Sequence, residues 1–160
     1  MTSAPLAASG PGSVAIRRAA EADGPSVGDV YLASFRATYD FPLAHSDDTV
    51  RRWIRDTVIA DQETWVAEQD ARVVGLLVVA PGWIEQLYVA PDHLGEGIGR
   101  ALVDHAKARS PNGLSLYTFQ VNARARRFYE RNGFTAEWFG DGSANEEGQP
   151  DVRYVWTPTS

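Results

Sequence analysis

The sequence predicts a single domain of mixed α/β class, strands and helices sharing one core. Three observations carry that reading. The chain has 160 residues, room for one core of ordinary size. Apolar residues make up 44% and charged residues 22%, too apolar a balance for a disordered chain. Segments of period-two and period-3.6 hydrophobicity follow one another in the order β-α-α-β-β-β-α-β-α-β-β.

The elements justify themselves in turn. Residues 1–13 are mostly Ala, Ser, Gly and Pro and read as a flexible tail, leaving 14–160 as the domain. Val14 to Arg17 reads as a strand, with Asp23 as the cap of a helix carrying Val27, Val30, Tyr31, Ser34 and Phe35. Ser46, Asp47 and Asp48 offer caps for a second helix striped by Val50, Trp53, Ile54, Thr57 and Val58. Thr64 to Glu68 and Val73 to Val79 form a hairpin around Gln69-Asp70-Ala71-Arg72, and Gly75 marks a bulge. Trp83 to Val89 is a strand that Pro91 ends. A helix follows from Ile98 with Leu102, His105/Ala106 and Arg109 on one side. Leu114 to Phe119 is a strand, and Asn122 caps a helix that stops at Asn132-Gly133. Phe134 to Phe139 and Val152 to Trp156 are strands, joined by a polar, mobile loop, Gly140 to Pro150.

Composition also excludes functions. With no cysteine, disulfide scaffolds, thiol nucleophiles and thiolate metal sites are ruled out, and a reducing cytoplasm fits. Three scattered His give no metal spacing, so no metal is expected. No apolar run approaches a membrane span, and Met1 to Gly12 does not read as a secretory leader. The net charge of −6 and a pI near 5.0 argue against nucleic acid. Between Gly97 and Arg131, however, seven basic residues face two acids. One basic segment in an acidic protein suggests an anionic ligand there; a solvated Arg-rich helix face accounts for it equally well.

The glycine-rich stretch Gly95-Glu96-Gly97-Ile98-Gly99 lies between a strand end and a helix start. Glycine costs backbone entropy, so a cluster implies close approach or φ > 0. The helix start directs unpaired N–H groups and a positive dipole end at the loop, which makes it an anion site suited to phosphate. It is not a P-loop, because Arg100 stands where Lys is required. It is not a Rossmann fingerprint, because the third glycine and the ribose-binding acid are missing. Gly24-Pro25-Ser26-Val27-Gly28 matches G-x-S-x-G, but no buried strand precedes Ser26, so a nucleophile elbow is disfavoured.

The run from Trp83 to Leu102 resembles the strand–loop–helix signature of the GNAT superfamily, the CoA-dependent N-acetyltransferases. Asn122-Ala123-Arg124-Ala125-Arg126-Arg127-Phe128-Tyr129-Glu130-Arg131-Asn132-Gly133-Phe134 is similar to that family's late helix. The resemblance implies a mostly antiparallel central sheet with helices on both faces and a splayed central strand pair. It implies acetyl-CoA as co-substrate. Its pyrophosphate would sit on the amides of Leu94, Gly95, Glu96, Gly97, Ile98, Gly99 and Arg100. Its pantetheine arm would run along Leu87, Tyr88 and Val89. One amide of that strand would polarise the thioester carbonyl. Leu94 stands where the family usually has Gln or Arg, so a side-chain phosphate contact is missing while the backbone donors remain. Asn122 and Ala125 would flank the arm, and Tyr129 would return a proton to the leaving thiolate. Arg124, Arg126 and Arg127 are offered to the phosphates, Arg127 foremost; solvated charge is the equal alternative.

An amine must lose its proton before it attacks, so a base is required. Glu85, the one acid of its strand, is the leading candidate, although a bulge would alter the face it takes. Tyr39, His45 and Glu68 are weaker ones. The acceptor is expected to be a small-molecule or peptide amine, walled by Phe35, Tyr39, Phe41 or Trp53, or drawn by the acids Asp40, Asp47, Asp48, Glu146, Glu147 and Asp151. Domains of this kind often form homodimers. The alternative function is a CoA- or acyl-CoA-binding regulatory domain without turnover.

Overall fold

A computed structural model describes residues 13–159; the expected tail lies outside these residues but for Ser13. The strands are β1 (Val14–Arg18), β2 (Glu63–Gln69), β3 (Arg72–Ala80), β4 (Trp83–Val89), β5 (Leu114–Phe119), β6 (Thr135–Gly140) and β7 (Asp151–Trp156). The helices are α1 (Gly24–Thr38), α2 (Asp47–Trp53), α3 (Ile98–Ala108) and α4 (Ala123–Arg131). One seven-stranded sheet results, in the order β1-β2-β3-β4-β5-β7-β6. Every neighbouring pair is antiparallel except β4–β5.

Helices cover both faces, and each face has its own core. On one, α3 and α4 bring Ile98, Leu102, Ala106 and Tyr129 onto Leu77, Leu114, Leu116 and Tyr154. On the other, α1, α2 and the turn after α2 bring Val27, Leu32, Val50 and Ile54 onto Val66, Leu76 and Val78. Residues 76–78 of β3 are buried on both sides, which is why that strand reads as an unbroken apolar run.

Local chemistry sets the boundaries. Asp70 (φ 50°) and Ala71 (φ 64°) turn the β2–β3 hairpin, the mirror-image turn that suits strand twist. Ser46 Oγ accepts from Thr49 N (3.2 Å) and caps α2. The second helix runs on past Trp53 as a wider, π-helical turn, Ile54–Ile59, that keeps Ile54 and Val58 buried. Asp23 does not cap α1 with its side chain. It is taken by Arg17 (2.8 Å) and turns back to Ala20 N (2.7 Å). Gly24 to Gly28 opens α1, so no strand-to-helix elbow presents Ser26.

The bulge expected at Gly75 falls beside it: Ala67 faces Gly75 and Glu68 faces Val73, leaving Val74 as the extra residue. Gly75 itself admits α3. A Cβ there would lie 3.0 Å from Leu102 Cδ1 and 3.2 Å from Ile98 Cγ2. Gly75→Val should therefore overpack this contact and cost about 1–3 kcal/mol, read as a fall in thermal midpoint of several degrees. The Arg17 guanidinium holds the Asp23 carboxyl below its ordinary 3.8. The stability this adds is complete above that ordinary value and is lost as pH falls through the lower folded one. Asp23→Asn should flatten the acid side of the stability–pH curve and leave its slope above pH ~5 unchanged, measured by thermal melts.

Candidate active site

The site exists because two central strands fail to pair along their length. β4 and β5 run parallel and meet at one register pair, Trp83 with Ser115, reinforced by Ser115 N donating to Gly82 O (2.8 Å). Beyond that point they part, as the resemblance implied. A cleft of about 1480 Å3 opens between them.

Backbone alternation aims β4 into this gap. Ala90 N donates to Val74 O of β3 (2.8 Å), so Val89 and, two residues back, Leu87 turn their main-chain groups the other way. The Val89 carbonyl is taken by Ser34 Oγ (2.6 Å). The amides on that edge have no strand partner from β5, whose ladder has already ended.

At the mouth of the gap α3 begins. Gly97 (φ 86°) is its N-cap and Gly95 (φ 81°) precedes it. A Cβ on either would meet nothing within 4 Å, so the turn is open and no side chain plugs it. Ala101 N bonds back to Gly97 O (3.1 Å); the amides of Ile98, Gly99 and Arg100, ahead of that first bond, are the orphan donors of a helix start. The Ile98 side chain is buried in the core, and only its main chain serves the mouth. Gly99 has a different reason: Phe128 Cζ of α4 would lie 3.2 Å from a Cβ there. Leu94 is 45% exposed at the rim. Glu96 turns its carboxylate to His93 Nδ1 (3.2 Å) and does not line the cleft.

The opposite wall is α4. Asn122 Oδ1 accepts from Ala125 N (3.0 Å) as the helix cap, and its Nδ2 donates to Tyr39 Oη (2.9 Å). Ala125 and Tyr129 follow on the cleft side. Tyr129 is buried, with its ring 5.2 Å from Phe128 and 5.6 Å from Phe134. Burial, and then the nearby Tyr39, push its phenol well above the ordinary range. The group is protonated at neutral pH, as an acid must be, but a raised value works against giving the proton up.

Of the basic residues, Arg100, Arg124 and Arg131 line the cleft with Lys107. Arg127 is exposed and lies outside that lining. Arg126 reaches the far side of α4, to Tyr154 Oη (3.2 Å). Arg124 and Arg131 stand two helical turns apart on the face of α4 that lines the cleft.

Glu85 is the extra residue of a bulge in β4, since Val78 faces Gln86 and Val79 faces Ile84. Ile84 and Leu87 thus share the α3 face, and simple alternation no longer carries Glu85 to the side of Leu87 and Val89. It is exposed and lines the cleft. His45 pairs with Glu146 (2.9 Å), and Glu68 with Arg17 (3.4 Å). Phe35 is core, 3% exposed, and joins Tyr39, Phe41 and Phe119 in one ring cluster with centroids 4.8–5.6 Å apart. Tyr31, Gln86 and Glu147 line the cleft as well. In the sequence Tyr31 is one more apolar helix position, and Glu147 is one acid among several.

The family model of the acetyltransferase (GNAT) domain matches residues 60–136, from the helical end just before β2 into β6. The peptidyl-lysine N-acetyltransferase YiaC of Escherichia coli K12 is 30% identical over 120 residues, 74% of this chain and 82% of that protein. YjaB of the same organism, also a peptidyl-lysine N-acetyltransferase, is 29% identical over 139 residues, 86% of this chain and 91% of that one. The solution structure of its apo form superimposes with a TM-score of 0.77, covering 91% of this chain and 99% of YjaB. The PaiA N-acetyltransferase of Thermoplasma acidophilum, solved with coenzyme A, gives a TM-score of 0.68 at 22% identity, covering 91% and 99%. The chain belongs to the GNAT superfamily of N-acetyltransferases.

Among the described residues, no group of three or more His, Asp or Glu is placed to hold a metal, and no helix is long and apolar enough to cross a membrane. Asn122→Ala removes both the cap acceptor and the bond to Tyr39. It should cost about 1 kcal/mol from the cap alone and lower the thermal midpoint by roughly 2–4 °C.

Proposed function

We propose that the protein transfers the acetyl group of acetyl-CoA to a primary amine by direct attack. The observation that carries this is the open turn at Gly95 and Gly97, with its orphan amides, standing over strands that part after Trp83. Such a turn fits a diphosphate, because main-chain donors and a helix dipole converge where no side chain intrudes. The parted strands fit an extended, amide-bearing arm that pairs with the free edge of β4 as a further strand would. The coenzyme A in the PaiA structure supports the same ligand here.

In this reading Leu94, Gly95, Gly97, Ile98, Gly99 and Arg100 hold the diphosphate, with Glu96 lending only its amide. Arg124 and Arg131 stand nearer the phosphates than Arg127 does. Leu87, Tyr88 and Val89 carry the arm, with Asn122 and Ala125 across from them. An amide of Leu87 or Val89 hydrogen-bonds the thioester oxygen as the amine nitrogen adds to the carbonyl carbon. Glu85 takes the amine proton through water, and Tyr129 protonates the sulfur as the C–S bond breaks. The names of YiaC and YjaB favour a lysine side chain as the acceptor.

Calorimetry with acetyl-CoA and a thiol-release assay across an amine panel test the reading together. Binding in the micromolar range is expected, and no heat at millimolar ligand would end it. Gly97→Val, strained at φ 86°, should weaken acetyl-CoA about tenfold or more. Tyr129→Phe should keep that affinity and lower kcat about 100-fold. A binding domain without turnover would release no thiol, and the Tyr129 change would then be silent.

A further inference from the structure

A buried hydroxyl on the cleft wall has no part in the transfer chemistry. Ser34 lies inside α1, buried, and lines the cleft beside β4. A serine within a helix usually turns its hydroxyl back to a carbonyl of the preceding turn. Ser34 reaches out of its helix instead and donates to the carbonyl of Val89, the last residue of β4, at 2.6 Å. Packing fixes α1 on either side of it. Tyr31, about one turn earlier, meets Tyr88 of β4 edge to face with centroids 4.9 Å apart. Phe35 is core and packs on Tyr39 at 4.8 Å. The donor is thus delivered by a helix that ring contacts hold still.

The Val89 carbonyl and the Ala90 N–H belong to one planar peptide unit and point opposite ways. The N–H donates to Val74 O of β3 (2.8 Å). The carbonyl, on the cleft side, goes to Ser34. This peptide is therefore clamped from both flanks, where the free edge of β4 ends. Beyond it the chain has its own support: His93 N donates to Ala90 O (2.9 Å), and Pro91 opens the turn that leads to Gly95. The two clamps do different things. The Val74 bond and the turn fix where the glycine loop stands. The Ser34 bond fixes how the last carbonyl of the edge is aimed. Without that hydroxyl, Val89 O would be a half-buried acceptor lacking its partner, and a peptide plane held at one end only swings to find another. An extended arm that pairs with the edge needs its donors and acceptors aligned as in a ladder. A swung plane therefore weakens the pairing of the arm and leaves the diphosphate turn as it was.

We propose that Ser34 is a positioning residue for the cofactor: acting through the Val89 carbonyl, it holds the free edge of β4 in the alignment with which the pantetheine arm pairs. The inference rests on the acetyl-transfer reading, since it concerns how the same cleft grips the same ligand. It divides that grip in two. The glycine turn takes the diphosphate, and the Ser34–Val89 bond serves the arm alone.

The test is calorimetry with two ligands: CoA, and 3′-phospho-ADP, which is the nucleotide of CoA without its arm. Ser34→Ala should weaken CoA about tenfold and leave the affinity for 3′-phospho-ADP unchanged. Ser34→Thr keeps the hydroxyl and should hold CoA within about twofold of the unaltered protein. A change that merely loosened the fold would weaken both ligands alike, so unchanged binding of 3′-phospho-ADP shows the turn intact. The proposal is overturned by an Ala variant that binds CoA as the unaltered protein does, by one that loses both ligands equally, or by a Thr variant as weak for CoA as Ala. CoA binding and thiol release by the unaltered protein are measured first, so failure of the acetyl-transfer reading is distinguishable from failure of this one.

Discussion

A single main-chain pairing governs this molecule: Trp83 of β4 against Ser115 of β5, where the only parallel neighbours in the sheet touch and then separate. A continuous ladder would satisfy every amide of β4 internally and leave nothing for a ligand. Because the ladder stops, the sheet has an internal edge. Edges normally invite unwanted pairing, but this one is recessed between α3 and α4 and open only along a narrow cleft. The helix start above it and the tyrosine below it are useful because that edge exists.

The helices are distributed to suit the break. α3 packs on β3 and β4, where Gly75 lets it come close. α4 is tied to the other half of the sheet, through Arg126 to Tyr154 and from the Tyr154 hydroxyl to Glu130 (2.7 Å). Each half of the sheet thus carries one wall. Charge gathers at these walls: Arg100, Lys107, Arg124 and Arg131 line the cleft.

Much of the fold is legible in the sequence because its signals are local. Asn122, Gly133 and Ser46 cap or stop helices wherever they occur, and Val73 to Val79 alternates or runs apolar by its burial alone. The glycine turn is legible for the same reason: two residues needing positive φ before a helix have few uses. Asp23 misleads because its competitor, Arg17, is a strand residue that pairs with it only once the chain has turned. Glu85 is ambiguous because a bulge is set by how β3 and β4 register, and no residue in β4 announces it. Arg127 stands out in the sequence, whereas Arg124 and Arg131 are the ones that line the folded cleft.

Gly99 acts through what it leaves out. With no side chain there, Phe128 of α4 seats directly on the first turn of α3, and this contact bridges the two halves of the sheet at the cleft itself. The bare hydrogen of that glycine acts as a shim: it sets how closely α4 approaches the first turn of α3. The separation of the two helices is thus fixed by an absent side chain, at a residue whose own amide the helix start leaves free.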